Sequence, residues 1–328
     1  METMPEMAGV SGAVLVTRGG RVVLRVAAGI ADADTGVPCT PETCFRIASV
    51  SKQFTAAAIM LLVEDGALDL HEPIAQSLAH CPEEWRDITL HQLLTCTSGL
   101  GHWHAVPDFD LEDPGTPDEY LARLARQPLL FAPGNGWSYS SPGFLLAARI
   151  LEHVTGHLYH EFVAKRIFEP LGMASTRGGR PAPGPESHGY RGGIRVDVPE
   201  LMDLPGAGDL WSTVDDLARY AAAFDAGEIL TESSRRTMCT AQVRVPAEAG
   251  AQALGLTAEG YGYGQFVGAL QGHPVRYHPG DTPGYRTLYA QLPGRGTTVV
   301  VLSNRDEADV EAIAAGLMPF ISGASDQA

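Results

Sequence analysis

The sequence predicts an α/β protein: an antiparallel sheet lobe built from both termini and flanked by helices, with a mainly helical lobe inserted between them. Hairpin-like strand pairs near the two ends, and a helix-rich stretch separating them, carry that prediction. Ala13 to Thr17 and Arg21 to Ala27 flank Gly19-Gly20, a pair suited to a tight turn. Tyr285 to Leu292 and Thr297 to Ser303 flank Gly294-Arg295-Gly296 in the same way, and the amphipathic stretch Glu307 to Ile321 reads as a terminal helix.

Between the hairpins, helical patterning recurs in order. Lys52 to Glu64 is apolar and stops at Gly66. Leu90 to Thr97, Asp118 to Ala125, Phe144 to Val154 (stopping at Gly156) and Tyr159 to Phe168 follow. Val214 to Phe224 is preceded by Ser212 and Thr213, which pair with Asp215 and Asp216 as capping boxes. Two long connections remain, Gly101 to Pro117 and Arg177 to Pro205, and loops of more than about 12 to 15 residues are commonly functional lids or disordered. There is no internal repeat. Residues 1–328 are expected to form a single domain, with 8–70 and 210–323 as the sheet lobe and 71–209 as the helical lobe.

Composition narrows the function. With 328 residues, 45% of them hydrophobic and 19% charged, a sizeable core can be buried. A formal net charge of -16 repels phosphate backbones and anionic lipid, which excludes nucleic acid and the membrane surface as main partners and favours neutral or cationic substrates. The five cysteines, Cys39, Cys44, Cys81, Cys96 and Cys239, are odd in number and lack CxxC spacing, so free thiols in a reducing compartment are expected rather than a disulfide frame or a zinc site. Met1 to Val16 has no basic region followed by an apolar core, and no apolar run approaches the ~20 residues a membrane span needs. The expected location is the cytoplasm, although a chain already cleaved of a signal would read the same.

Chemistry enters at Ser49-Val50-Ser51-Lys52, placed just before an apolar helix. Residues three apart share a helix face, so Lys52 would lie beside the Ser49 hydroxyl. A hydroxyl needs a base to attack a carbonyl at neutral pH, and a desolvated lysine of depressed pKa can serve. The helix amino terminus favours the developing oxyanion. Taken alone, the pair reads more readily as an N-cap serine above a solvated lysine.

Further segments bear on that choice: Phe45 to Thr55, Leu93 to Leu100, Trp137 to Gly143, Phe168 to Met173, Gly206 to Leu217, His278-Pro279-Gly280 and Val299 to Asn304. With these in this order, the chain from about Gly12 to Asn304 resembles the serine β-lactamase and penicillin-binding-protein superfamily, in its class C-like branch of esterases, D-aminopeptidases, D,D-carboxypeptidases and transacylases. The resemblance implies a β-lactamase/transpeptidase-like fold and no cofactor or metal. It also implies a small-molecule or peptide acyl substrate.

By the same resemblance, Tyr139 in Tyr139-Ser140-Ser141 is the shared general base and acid, its phenolate stabilised by the neighbouring ammonium. An unperturbed tyrosine titrates near about 10, too high for a base at pH 7 unless cations lower it. Ser141 stands where the family usually has asparagine; a hydroxyl offers less than an amide to a substrate amide, so recognition of an acylamino group is weakened. His278 opens the third motif, where many members have lysine. Its imidazole, with a pKa near about 6.5, is mostly neutral at pH 7 and would grip a carboxylate poorly. Pro279 lacks a backbone donor, which suits an edge strand. The resemblance further implies an oxyanion hole from the backbone amides of Ser49 and Asp281, substrate contacts from Ser141 and Gly280, and a loop 101–117 beside the site that adds Trp103 and Asp108.

His102 and His104, with Asp108, Asp110, Glu112 and Asp113, match no metal-ligand spacing and read as a solvated loop whose acids could attract a substrate amine. Three functions follow as expectations. The first is hydrolysis of a small ester or amide through an acyl-enzyme on Ser49, in the manner of an esterase or D-aminopeptidase. The second is transfer of the acyl group to an amine by a biosynthetic transacylase or thioesterase. The third is a silent binding protein of the same fold. The class A deacylating glutamate has no counterpart motif, so efficient β-lactam hydrolysis is not expected.

Overall fold

The computed structural model describes residues 10–78, 81–110, 115–179, 185–196, 204–249 and 255–322. Its centre is an eight-stranded antiparallel sheet. The strands are β1 (Gly12–Arg18), β2 (Arg21–Ala28), β3 (Val243–Arg244), β4 (Leu256–Tyr261), β5 (Phe266–Leu270), β6 (His273–Thr282), β7 (Tyr285–Leu292) and β8 (Thr297–Ser303), in the order β2-β1-β8-β7-β6-β5-β4-β3. Both predicted hairpins are present, and the two ends of the chain meet where β1 pairs with β8, Gly12 opposite Ser303 and Arg18 opposite Thr297. The near-continuous Val/Leu runs of β1 and β8 fit strands covered on both faces.

The helices are α1 (Lys52–Glu64), α2 (Leu90–Leu94), α3 (Pro117–Leu124), α4 (Ser141–Thr155), α5 (Tyr159–Val163), α6 (Val214–Ala226), α7 (Glu232–Cys239), α8 (Val310–Gly316) and α9 (Met318–Ser322). α6 and α8 pack on the sheet, while α1 lies among α4, α5 and α7. α1 is buried on nearly every side, from Lys52 to Leu62, which explains its lack of a polar face. No described helix is long and apolar enough to cross a membrane, and all five cysteines are free thiols.

Several expectations change. The terminal helix is broken into α8 and α9, with Pro319 in the first turn of α9, where a missing N–H costs nothing. Of the two capping residues predicted for α6, Thr213 accepts the Asp216 N–H at 3.2 Å, whereas Ser212 sits in a two-residue strand and bonds Thr176 at 2.8 Å. Tyr159 to Phe168 is α5 followed by a wider π turn over Ala164–Phe168. Within the stretch 71–209, Gly189–Arg191 and Ile194–Val196 form a ribbon that bridges to Arg305. The strands β3 to β6 and the helix α7 carried too little periodicity to be read as separate elements.

Candidate active site

The Ser49 turn is set by its flanks. Phe45–Arg46 pairs with Trp211–Ser212, and the Ile47 N–H donates to the Leu210 carbonyl at 2.9 Å, so the chain enters a tight 3-10 turn, Ala48–Ser51, from a fixed direction. Ala48 adopts φ +47, a left-handed conformation that strains any residue with a Cβ and persists only where the surroundings enforce it. The turn runs directly into α1.

Lys52, the first residue of α1, is fully buried, and its ammonium donates to the Ser49 hydroxyl at 2.9 Å and to the Ala207 carbonyl at 2.5 Å. Burial without a carboxylate contact favours the neutral amine and brings the Lys52 pKa down to about 7, with Cys96 and Asp209 pulling weakly the other way. The predicted helical pair is thus a hydroxyl with a base beside it that is close to half deprotonated at neutral pH.

Tyr139 departs from its expected state. Lys52 lies over the face of its ring, 5.1 Å from the centroid, instead of bonding the phenol oxygen. Burial therefore dominates and raises the phenol above its usual range, although the Ser49 and Ser141 hydroxyls it faces act in the opposite sense. Tyr139 is a protonated phenol at rest, and the proton-accepting capacity resides in Lys52. Ser141 opens α4, and its N–H donates to His102 Nδ1 at 3.3 Å.

His278 is buried on β6. Its Nδ1 meets the Pro279 carbonyl at 2.6 Å and its Nε2 meets the Tyr261 hydroxyl at 3.2 Å. A carbonyl can only accept, so Nδ1 carries the proton and Nε2 accepts from Tyr261. Burial and the nearby Lys52 push the imidazole down to about 3, so it is neutral at pH 7. Pro279 is not on an edge strand as expected, because β6 lies between β5 and β7. β5 ends its pairing at Tyr277, however, so His278 to Thr282 has no strand on that side and the missing N–H breaks no ladder there.

Gly280 brings this unpaired half of β6 against the Ser49 turn. A Cβ there would stand 2.5 Å from the Ile47 carbonyl and would overlap the Thr287 hydroxyl, which itself donates to Ile47 O at 3.0 Å. The role of Gly280 is thus close approach, the condition for Asp281 to share a cavity wall with Ser49.

That cavity has a volume of about 600 Å³ and contains Ser49, Tyr139, Ser141, His278 and Asp281, with Trp103 on its wall. Asp108 does not line it: the inner face of loop 101–117 is Trp103, stacked on Phe109 at 5.5 Å and set edge-on to Tyr120 at 5.0 Å, leaving Asp108 exposed. Glu112 and Asp113 fall outside the described residues. Among the described residues no group of His, Cys, Asp or Glu could hold a metal ion.

Sequence reasoning gave no role to several residues at the site. His102 packs edge-on to Tyr139 at 5.2 Å, and burial, together with the charges of Lys52 and His104, lowers its pKa to about 3. Tyr261 orients His278; its run Gly260-Tyr261-Gly262-Tyr263-Gly264 was the available signal. The Ala207 carbonyl has no side-chain signature. Arg191, Arg286, Asp306 and Glu311 also line the cavity, with Arg286 paired to Asp281 at 2.9 Å and Arg191 to Asp306 at 2.6 Å.

Comparison with known proteins identifies relatives of the whole chain. The family model described as beta-lactamase matches residues 2–318. Esterase EstB of Burkholderia gladioli is 32% identical over 281 residues, spanning 69% of this chain and 70% of that protein. The octameric penicillin-binding protein homologue from Pyrococcus abyssi superposes with a TM-score of 0.85 at 28% identity, covering 97% of this chain and 75% of that one. The D-amino acid amidase from Ochrobactrum anthropi SV3, complexed with L-phenylalanine, gives 0.84 at 25% identity, covering 98% and 97%.

Proposed function

The chain belongs to the beta-lactamase family, and from that premise we propose that it is a serine hydrolase that forms an acyl-enzyme on Ser49 from a small ester or amide. The observation that carries the reading is the contact between Lys52 and Ser49: a buried amine with a pKa of about 7, 2.9 Å from a hydroxyl that opens into a cavity. Neutral Lys52 takes the Ser49 proton as Oγ attacks the carbonyl carbon. The backbone amides of Ser49 and Asp281 receive the oxyanion, and each such donor typically contributes about 3 kcal/mol to the transition state. Tyr139, a neutral phenol facing Ser49, passes a proton to the leaving group and takes it back from the incoming water. His278, neutral and held by Tyr261, offers no cation for a substrate carboxylate.

The charged groups that line the cavity favour a substrate that carries an amine. The cavity's two arginines are engaged by Asp281 and Asp306, which leaves Glu311 as the carboxylate that neither pair uses. The names of an esterase and a D-amino acid amidase among the similar proteins support an ester or amide as the substrate class.

A fluorophosphonate probe followed by intact-mass measurement tests the reading. One adduct is expected, located at Ser49 by peptide mapping and absent from Ser49→Ala; a folded protein with no adduct would end it.

A further inference from the structure

The acceptor for Lys52 is a backbone carbonyl, so what holds that backbone matters to the chemistry. The turn from Leu204 to Leu210 is organised around Asp209, which has no solvent exposure. One Asp209 oxygen accepts the Gly206 N–H at 3.1 Å, and the other accepts from His160 Nε2 on α5. The Gly206 carbonyl in turn accepts from the Thr55 hydroxyl of α1 at 2.8 Å, and Thr55 is bonded at 2.8 Å to the hydroxyl of Tyr159, the residue before His160. A closed ring of contacts therefore ties α1, α5 and the turn together. Its fit is tight, since a Cβ on Gly206 would stand 2.8 Å from Ala148 and one on Gly178 would overlap the His160 ring.

Among the described residues, few charged groups face this ring. On the Asp209 side stand His160, the neutral phenol of Tyr159 and, through the turn, Lys52. Around Lys52 stand Asp209, the protonated thiol of Cys96, the phenol of Tyr139, and His102 and His278, both neutral. Asp209 is thus the one carboxylate in this set.

We propose that Asp209, held by His160, is a positioning residue for proton transfer at Ser49: it fixes the turn that presents the Ala207 carbonyl to Lys52 and places a buried negative charge within the field of that lysine. The proposal rests on Lys52 being the base, as argued above. Asp209 touches neither Ser49 nor the cavity and acts only through Lys52 and the turn.

The experiment is the pH profile of kcat/KM for p-nitrophenyl acetate hydrolysis in the wild-type protein, Asp209→Asn and His160→Ala, with thermal melts alongside. Removing the carboxylate charge makes the Lys52 ammonium easier to deprotonate, so Asp209→Asn moves the acid limb to lower pH by roughly half a unit or more. Removing the His160 donor leaves that carboxylate with the Gly206 N–H alone and strengthens its field at Lys52, so His160→Ala moves the limb to higher pH. Variants that lose rate or melting temperature while keeping the wild-type limb, or that both shift in one direction, would overturn the proposal. A wild-type protein that gives no acyl adduct on Ser49 would instead remove the reading of Lys52 on which it stands.

Discussion

Gly280 and Ile47 meet backbone to backbone, with room for a hydrogen but not for a methyl group on the glycine: a Cβ would lie 2.5 Å from the Ile47 carbonyl. This contact sets how closely β6 approaches the Ser49 turn, and so where the Asp281 amide stands. Gly280→Ala is expected to push the strand away, reducing the rate of Ser49 acylation by about a hundredfold, comparable to the loss of one oxyanion donor. Stopped-flow acylation kinetics measure it. A variant as fast as the wild type would show that the strand is not part of the hole.

Lys52 makes stability and activity pull in opposite directions. Its folded-state pKa, about 7, lies below the ordinary lysine value of 10.5, so between those values the unfolded chain binds a proton that the folded protein does not. Stability from this group is therefore fully present above the unfolded value and falls as pH drops from about 10 towards 7. Lys52→Met removes the cost of burying the amine. It should raise stability at pH 7 by about 2 kcal/mol, flatten the pH dependence over that window, and abolish acylation. Urea titrations at several pH values, paired with adduct formation, read both effects. A Lys52→Met protein that is less stable than the wild type at pH 7 would contradict this account.

Two histidines at the site, His278 buried and His102 half-buried, predict acid sensitivity. His102 and His278 have folded pKa values of about 3 against the ordinary histidine value of 6.5. The unfolded chain takes up protons below 6.5 that the folded protein refuses, so stability present above that pH declines as pH falls towards 3. Each histidine contributes about 1 kcal/mol or more of loss by pH 5. His278→Asn should blunt the decline, which melting temperatures between pH 7 and pH 4 would show. An unchanged slope would mean that His278 charges freely in the folded state.

Glu311, rather than the acids of loop 101–117, should govern preference for an amine-bearing substrate. Glu311→Gln is expected to lower kcat/KM for an α-amino ester about fivefold relative to its deaminated analogue, the size of a partly exposed ion pair. Asp108→Asn should leave that ratio unchanged, because Asp108 is exposed and does not line the cavity. The opposite ranking would return the recognition of the amine to the loop.

The parts of the site that were legible in the sequence are those fixed by local geometry. Ser49 and Lys52 are three residues apart on one chain segment, and helix periodicity alone brings their side chains together. The hairpins at the two ends were legible for the same reason, since Gly-containing turns between apolar runs leave a short-range signature. Tyr139, His278 and Gly280 are not related to Ser49 by any local period; order and context along the chain suggested them, and only tertiary packing brings them to one cavity. Packing also decides protonation. Whether Lys52 lies over the Tyr139 ring or beside its oxygen is a matter of about one rotamer, and it determines which of the two holds the proton. The Ala207 carbonyl and the pairing of His160 with Asp209 had no sequence signature, because a main-chain acceptor looks the same in any residue.

The pairing of β1 with β8 has a consequence for how the protein comes into being. β1 is made well before β8, with Gly12 opposite Ser303, and such distant pairings close slowly because the intervening chain must be ordered before the contact repays it. During synthesis from the amino end, the segment bearing Ser49 leaves the ribosome well before β6 and β8 exist to face it. The reactive hydroxyl is thus present in the nascent chain long before its oxyanion pocket, and a truncated product would carry the serine without the reactivity.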